Sequence, residues 1–142
     1  MTTDRGRLMG IDYGEKRVGL GISDPSGTIA SPAGVIVRRA GKRPPVAELV
    51  RRAEALEARG IVMGLPLDGN GDETPRSIEA RAVAEEVGRR TGLPVELIDE
   101  RYSTAAALRA IHHMGGSTKG RKGDVDALAA TVLLQHALQR TS

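Results

Sequence analysis

Three acidic positions in this chain stand where ordinary surface carboxylates are not expected. Asp12 ends the otherwise apolar stretch Leu8-Met9-Gly10-Ile11, and Asp99-Glu100 end a further strand-like stretch, Val95 to Ile98. Asp126 lies in the first turn of an apolar closing segment, Asp124 to Leu138. A carboxylate following buried strand residues costs free energy unless something compensates its charge. Should these ends converge, their oxygens would form the all-oxygen site that hard divalent cations such as Mg²⁺ or Mn²⁺ prefer. Two such ions about 4 Å apart activate an attacking water and stabilise the leaving oxygen of a phosphodiester.

Each position also has an ordinary role open to it. Asp12 could begin a turn. Glu100 could pair with Arg101 or simply face solvent, the usual fate of glutamate. Asp126 could complement a helix dipole, worth about 0.3–1 kcal/mol, with Asp124 already a natural N-cap. Other chemistries find less support. Gly64 to Gly71 is not followed by the Gly-Lys-Ser/Thr of a Walker loop, and Gly115 to Gly120 has the wrong order for one. His112 and His113 are adjacent on a helix and point in different directions. No Ser-His-Asp arrangement is spaced for nucleophilic catalysis.

The elements that must position these residues follow from periodicity. Leu8 to Asp12 reads as a strand, Tyr13 to Lys16 as a turn. Arg17 to Ser23 alternates, with Val18, Leu20 and Ile22 on one face and glycines on the other. Asp24-Pro25-Ser26-Gly27 signals another turn, and Val35 to Val37 a short third strand. After Pro44-Pro45 the apolar spacing becomes helical at Val46, Leu49, Val50, Ala53 and Leu56, with Gly60 as the stop. Ile61 to Leu65 is a continuous apolar run, as in a buried parallel strand. Thr74-Pro75 opens a second helix running to Gly92, and Val95 to Ile98 is another strand. Ser103 or Thr104 caps a third helix ending near Gly115-Gly116. Residues 115–123 read as a Gly-rich, basic loop, and Asp124 to Leu138 as a buried final helix. The order is βββαβαβαα, an α/β chain with a mixed sheet and helices on both faces.

Composition narrows the setting. At 142 residues the chain is read as a single domain, 1–142. It has no cysteine, hence no disulfide and no thiolate metal site. No stretch resembles a signal peptide or spans a bilayer, so the expectation is a cytoplasmic protein without a membrane partner. A formal charge of +3 mildly favours a polyanionic partner. The only aromatics are Tyr13 and Tyr102, too few for a base-stacking platform. Nucleic acid, if bound, is gripped by its phosphates.

Five stretches in order resemble the YqgF/RuvX family, relatives of the RuvC Holliday-junction resolvases. They are Gly10-Ile11-Asp12-Tyr13-Gly14 with Arg17-Val18-Gly19, and Ser23-Asp24-Pro25 leading to Ser31-Pro32. Gly64-Leu65-Pro66-Leu67 with Gly69 follows, then Asp99-Glu100-Arg101-Tyr102-Ser103-Thr104 and Asp124-Val125-Asp126-Ala127-Leu128-Ala129-Ala130. The likeness runs from Leu8 to about Leu138. It implies an RNase H-like fold and a metal-dependent nuclease using Mg²⁺ or Mn²⁺, which matures the 5′ end of pre-16S ribosomal RNA. A branched-DNA resolvase and a non-catalytic RNA-binding ribosome-assembly factor are the alternatives, as monomer or homodimer. On the matching positions the resemblance assigns Asp12, Glu100 and Asp126 as metal ligands and catalytic residues. Alternation puts Asp99 and Glu100 on opposite faces, and Glu100 is the one taken to face the metal. Asp124 is the fallback for Asp126.

Basic residues flank these positions. Lys119, Arg121 and Lys122 precede Asp126, and Arg38, Arg39, Lys42 and Arg43 form a second cluster. Either group would grip phosphates, or is solvated loop charge. Arg101 could contact a phosphate or lock Asp99. Tyr13 and Tyr102 could stack on a base or pack in the core.

Overall fold

The computed structural model describes residues 6–39, 43–102 and 122–140. Five strands form one mixed sheet: β1 (Arg7–Tyr13), β2 (Arg17–Ser23), β3 (Ala30–Val37), β4 (Ala58–Leu65) and β5 (Val95–Asp99), in spatial order β3-β2-β1-β4-β5. The first three run antiparallel to one another, while β4 and β5 run parallel to β1 and to each other. Helices α1 (Val46–Ala55) and α2 (Pro75–Thr91) connect the parallel strands, and α3 (Lys122–Arg140) closes the described chain.

Alternation along the strands divides the core in two. Met9, Ile11 and Tyr13 of β1, Val18 and Leu20 of β2, and Ile61, Met63 and Leu65 of β4 pack with Leu49 and Ala53 of α1 and Ala80, Val83, Ala84 and Val87 of α2. Val62 and Ile98 point the other way, onto Ala129, Leu133, Leu134, Ala137 and Leu138 of α3. On that face several strand positions are glycine because α3 lies almost on the backbone. A Cβ at Gly10 would stand 2.8 Å from the Leu134 Cβ, and one at Gly19 only 2.0 Å from the Asp126 carbonyl oxygen. The alternating glycines of β2 thus admit the helix, and small residues such as Ala127, Ala130 and Thr131 on α3 match them.

The elements follow the sequence reading with three differences. β3 begins at Ala30 and pairs with the whole of β2 from Ser23 to Arg17, so it is longer than Val35–Val37. Pro32 is tolerated because β3 is an edge strand. Gly60 does not stop α1. That helix ends at Ala55, Glu57 turns the chain with φ 56°, and Gly60 lies within β4, where a Cβ would come 2.8 Å from Leu8 Cδ2. Lys122 and Gly123, expected in a loop, belong to the first turn of α3, which moves Asp126 into the second turn. The helix expected from Ser103 or Thr104 to Gly115-Gly116 lies outside the described residues, as do Lys42, Lys119 and Arg121. The α2 boundaries agree: Thr74 and Ser77 form a reciprocal capping box, and Gly92 ends the helix in the left-handed conformation. Among the described residues no helix is long and apolar enough to cross a membrane.

Candidate active site at the carboxyl rim of the sheet

Parallel strands β1, β4 and β5 deliver their carboxyl ends to one rim, the edge at which open α/β sheets bind ligands. The pairing of β1 with β4 reaches Ile11 opposite Met63, and that of β4 with β5 sets Gly64 opposite Ile98 and Leu65 opposite Asp99. One residue further along β1, Asp12 stands level with Gly64. Its side chain shares the α3 face with that of Leu8, because Met9, Ile11 and Tyr13 occupy the opposite face. Asp12 is 2% exposed.

Glu100 follows β5 in a short 3₁₀ turn, Glu100–Tyr102, and is 7% exposed. A Cβ on Gly64 would meet its Oε2 at 3.1 Å and its Cβ at 3.4 Å. Glu100 therefore lies over Gly64, on the α3 face. On the other side of Asp12 its antiparallel partner is Gly19, the residue beneath the Asp126 carbonyl. Asp12 stands between one glycine covered by Glu100 and another covered by the backbone of Asp126.

The remaining acidic candidates are held by arginines. The Asp126 carboxylate accepts from Arg17 Nε at 2.6 Å, with side chains 17% and 25% exposed respectively. Arg17 is the residue that sequence reasoning passed over. The signal was available: it lies two and four residues before Gly19 and Gly21, so period-2 alternation puts it on the glycine face that α3 covers. Asp99 accepts two bonds from Arg101 Nε, at 3.1 and 3.0 Å, and one from Nη2 at 2.7 Å. The Arg101 guanidinium holds the Asp99 carboxyl below its ordinary range. Arg101 Nη1 also donates to the Gly69 carbonyl at 3.1 Å, tying the end of β5 to the loop after β4. Of the two roles open to Arg101, the structure displays the lock on Asp99. Asp124 and Lys122 lie in the first turn of α3.

Among the described residues no three acidic or histidine groups gather into a metal-binding cluster. Asp12 and Glu100 share one face and one rim; the Asp126 backbone joins them, while its carboxylate is turned to Arg17. In donor chemistry the set suits a hard divalent cation, since buried carboxylate oxygens are the ligands such ions take. Burying two carboxylates on one face costs several kcal/mol per ion, on the order of what a bound cation offsets.

Tyr13, next to Asp12, belongs to the other face. Its ring is fully buried, its hydroxyl donates to Glu79 Oε2, and the Arg38 guanidinium sits 5.0 Å from the ring centroid. Burial and the Glu79 carboxylate raise its hydroxyl above the normal range. Tyr13 is a core residue, unavailable for stacking on a base.

Comparison with known proteins gives the same frame. Residues 6–140 match the family model described as "RuvX: Holliday junction resolvase". A relative from Kineococcus radiotolerans is 43% identical over 134 residues, covering 94% of this chain and 71% of its own. Relatives from Rickettsia bellii, at 38% identity with 92% and 84% coverage, and Anaeromyxobacter, at 40% with 91% and 93%, are alike. All three are provisionally named pre-16S rRNA nucleases. Among solved structures, Thermus thermophilus RuvC superposes with a TM-score of 0.59 at 14% identity, covering 95% of each chain. The same RuvC in complex with a Holliday junction substrate gives 0.57 at 15% identity. That likeness fixes the fold as RNase H-like. With a family model spanning all but the ends of the sequence, and relatives this similar over nine-tenths of it, the chain belongs to the RuvX family.

Proposed function

We propose that this chain is a metal-dependent nuclease that hydrolyses phosphodiester bonds, with the 5′ end of pre-16S ribosomal RNA as its substrate. The observation that carries the reading is the placement of buried Asp12 and Glu100 on one face at the carboxyl rim of β1 and β5. The provisional names of relatives up to 43% identical support the reaction and the substrate.

Asp12 and Glu100 would hold the cation, with Asp126 as third ligand once its carboxylate leaves Arg17. A bound Mg²⁺ or Mn²⁺ supplies polarisation of the attacking water and charge compensation at the leaving oxygen. The rest is done by the protein. Gly64 and Gly19 keep the floor of the site free of side chains, so that Glu100 and the second turn of α3 can approach Asp12. Arg101 fixes the Asp99 carboxylate on the opposite side of the strand, leaving Glu100 as the acid that faces the rim. Lys119, Arg121 and Lys122, which precede Asp126 in the sequence, would supply cationic charge for phosphates. The protein acts in the cytoplasm as one domain, monomer or homodimer.

The test is cleavage of a pre-16S 5′-leader RNA in Mn²⁺ and in Mg²⁺, beside a mobile four-way DNA junction. Wild type is expected to cut the RNA, and Asp12→Asn to lose at least 100-fold in rate while keeping its circular dichroism spectrum. Equal rates for the two proteins would refute the assignment. The family model's description favours a second reading, resolution of branched DNA. Cutting of the junction in preference to the RNA would select it. RNA binding with no turnover in either metal would instead mark an assembly factor.

A further inference from the structure

Beyond the carboxylate site, one depression on the molecule is strongly cationic. It lies where the end of the edge strand β3 meets the start of α1, has a volume of about 440 Å³, and is lined by Arg38, Arg39, Arg43, Arg51 and Arg52 against a single acid, Glu48. Surface arginines are usually dispersed and paired, and part of this set is. Arg51 and Arg52 share Glu48, the latter pair at 2.9 Å, and Arg38 pairs with Glu79 at 3.0 Å. One carboxylate thus serves two guanidiniums. Arg39 and Arg43 are exposed and make no ion pair among the described residues.

Two further features show how the depression is built. Gly34, within β3, takes φ +107°, and a Cβ there would stand 3.2 Å from Arg52 Nη1. A side chain at that position would be strained and would crowd the guanidinium, so the irregular edge of β3 seats Arg52 against the strand. The first turn of α1 also opens here. Pro45 is its N-cap, no side chain caps it, and Pro45 itself lines the depression. The positive end of the helix adds to the arginine charge.

The register ties the depression to the carboxylates. Asp12 pairs with Gly19, and Gly19 with Val35, which lines the cationic wall. That cross-strand row spans two strand spacings, about 10 Å. The depression opens on the α1 face and Asp12 on the α3 face, so a backbone that reaches both passes around the rim from one face of the sheet to the other. The wall holds no aromatic side chain on which a base could stack, and its apolar members are the aliphatic Val35, Ile36, Val37 and Pro45. The chemistry recognised is a phosphodiester backbone.

We propose that the notch between β3 and α1 is a phosphate-binding site that holds the nucleic-acid backbone one or more phosphates away from the cleaved bond. The assignment rests on the nuclease reading for its ligand and separates from it in the test. Binding of a fluorescein-labelled pre-16S 5′-leader RNA is followed by anisotropy from 50 to 300 mM KCl with EDTA present, in Asp12→Asn protein. Each phosphate contact on a single strand contributes about 0.7 to the slope of log K against log[salt]. Adding Arg39→Gln and Arg43→Gln is expected to flatten the slope by about 1.4 and to weaken binding about tenfold near 150 mM. Arg39→Lys with Arg43→Lys, which keeps the charge, should retain most of the slope. Both arginines are exposed, so an unchanged thermal midpoint is expected and is measured alongside. A slope and affinity unmoved by the glutamine pair would overturn the notch, whatever the cleavage activity of wild type. Absence of cleavage in Mn²⁺ with a salt slope that still depends on the arginines would overturn the nuclease reading and leave the notch standing.

Discussion

Arg17 and Asp126 meet at 2.6 Å in a partly buried pair at the edge of the carboxylate site. An ion pair of this exposure contributes about 1 kcal/mol at most, too little to prevent a divalent cation from recruiting the carboxylate. The guanidinium opposes that recruitment twice, by holding the ligand and by placing a positive charge near the ion. Arg17→Gln is therefore expected to bind Mn²⁺ several-fold more tightly than wild type, while its metal-free unfolding free energy falls by about 1 kcal/mol. Calorimetric titration with Mn²⁺ checks it, and weaker binding in the variant would show that Arg17 does not compete for Asp126. The residue scale is also where sequence reading reached furthest. Asp12 and Glu100 stand out because an acid at the end of an apolar strand is costly, and alternation assigns Asp99 and Glu100 to opposite faces. Pairing was less visible. Which arginine a carboxylate meets depends on elements distant in sequence, so Arg17 across 109 residues was missed, whereas Arg101 was legible beside Asp99.

Elements are positioned here by what they lack. β2 carries Gly19 and Gly21 toward α3, and β1 carries Gly10, so the helix backbone descends to within van der Waals contact of the strands. That descent is what brings Asp126 beside Asp12. Gly19→Ala would place a methyl 2.0 Å from the Asp126 carbonyl oxygen, a clash with backbone that rotamer changes cannot relieve. The variant is expected to lose about 3 kcal/mol of stability and, in cleavage, more activity than stability explains, since the helix end carrying Asp126 must move. Urea unfolding and a rate measured below the transition check both; an unchanged denaturation midpoint would contradict the packing account. The period-2 pattern of Arg17 to Ser23 announced this face, because glycine on every second residue says that something approaches closely. What the sequence left open was where elements end. Gly60 looked like a helix stop because glycine ends helices, yet the chain turns at Glu57 and spends Gly60 on the contact with Leu8. Local signals name glycine's permissiveness without saying whether backbone conformation or close approach uses it.

At the scale of the whole molecule, a mixed sheet with β1 at its centre gathers the carboxyl ends of three parallel strands along one rim, with α1 and α2 behind it and α3 in front. The alternating β and α patterns made this architecture legible. The cationic notch was only half visible: Arg38, Arg39, Lys42 and Arg43 cluster in sequence, but Arg51 and Arg52 join them through the folding of α1 against the β3 edge. The rim carries buried carboxylates and the notch exposed arginines, which the proposed function uses for a cation and for a polyanion. The account depends most on Asp12 and Glu100 acting as one cation site. The direct measurement is the Mn²⁺ affinity of wild type, Asp12→Asn and Glu100→Gln, by calorimetry with competition by Mg²⁺. Both variants are expected to bind Mn²⁺ at least tenfold more weakly and to lose the several-degree rise in melting temperature that saturating metal gives wild type. Mn²⁺ affinities equal to wild type in both variants would contradict the account.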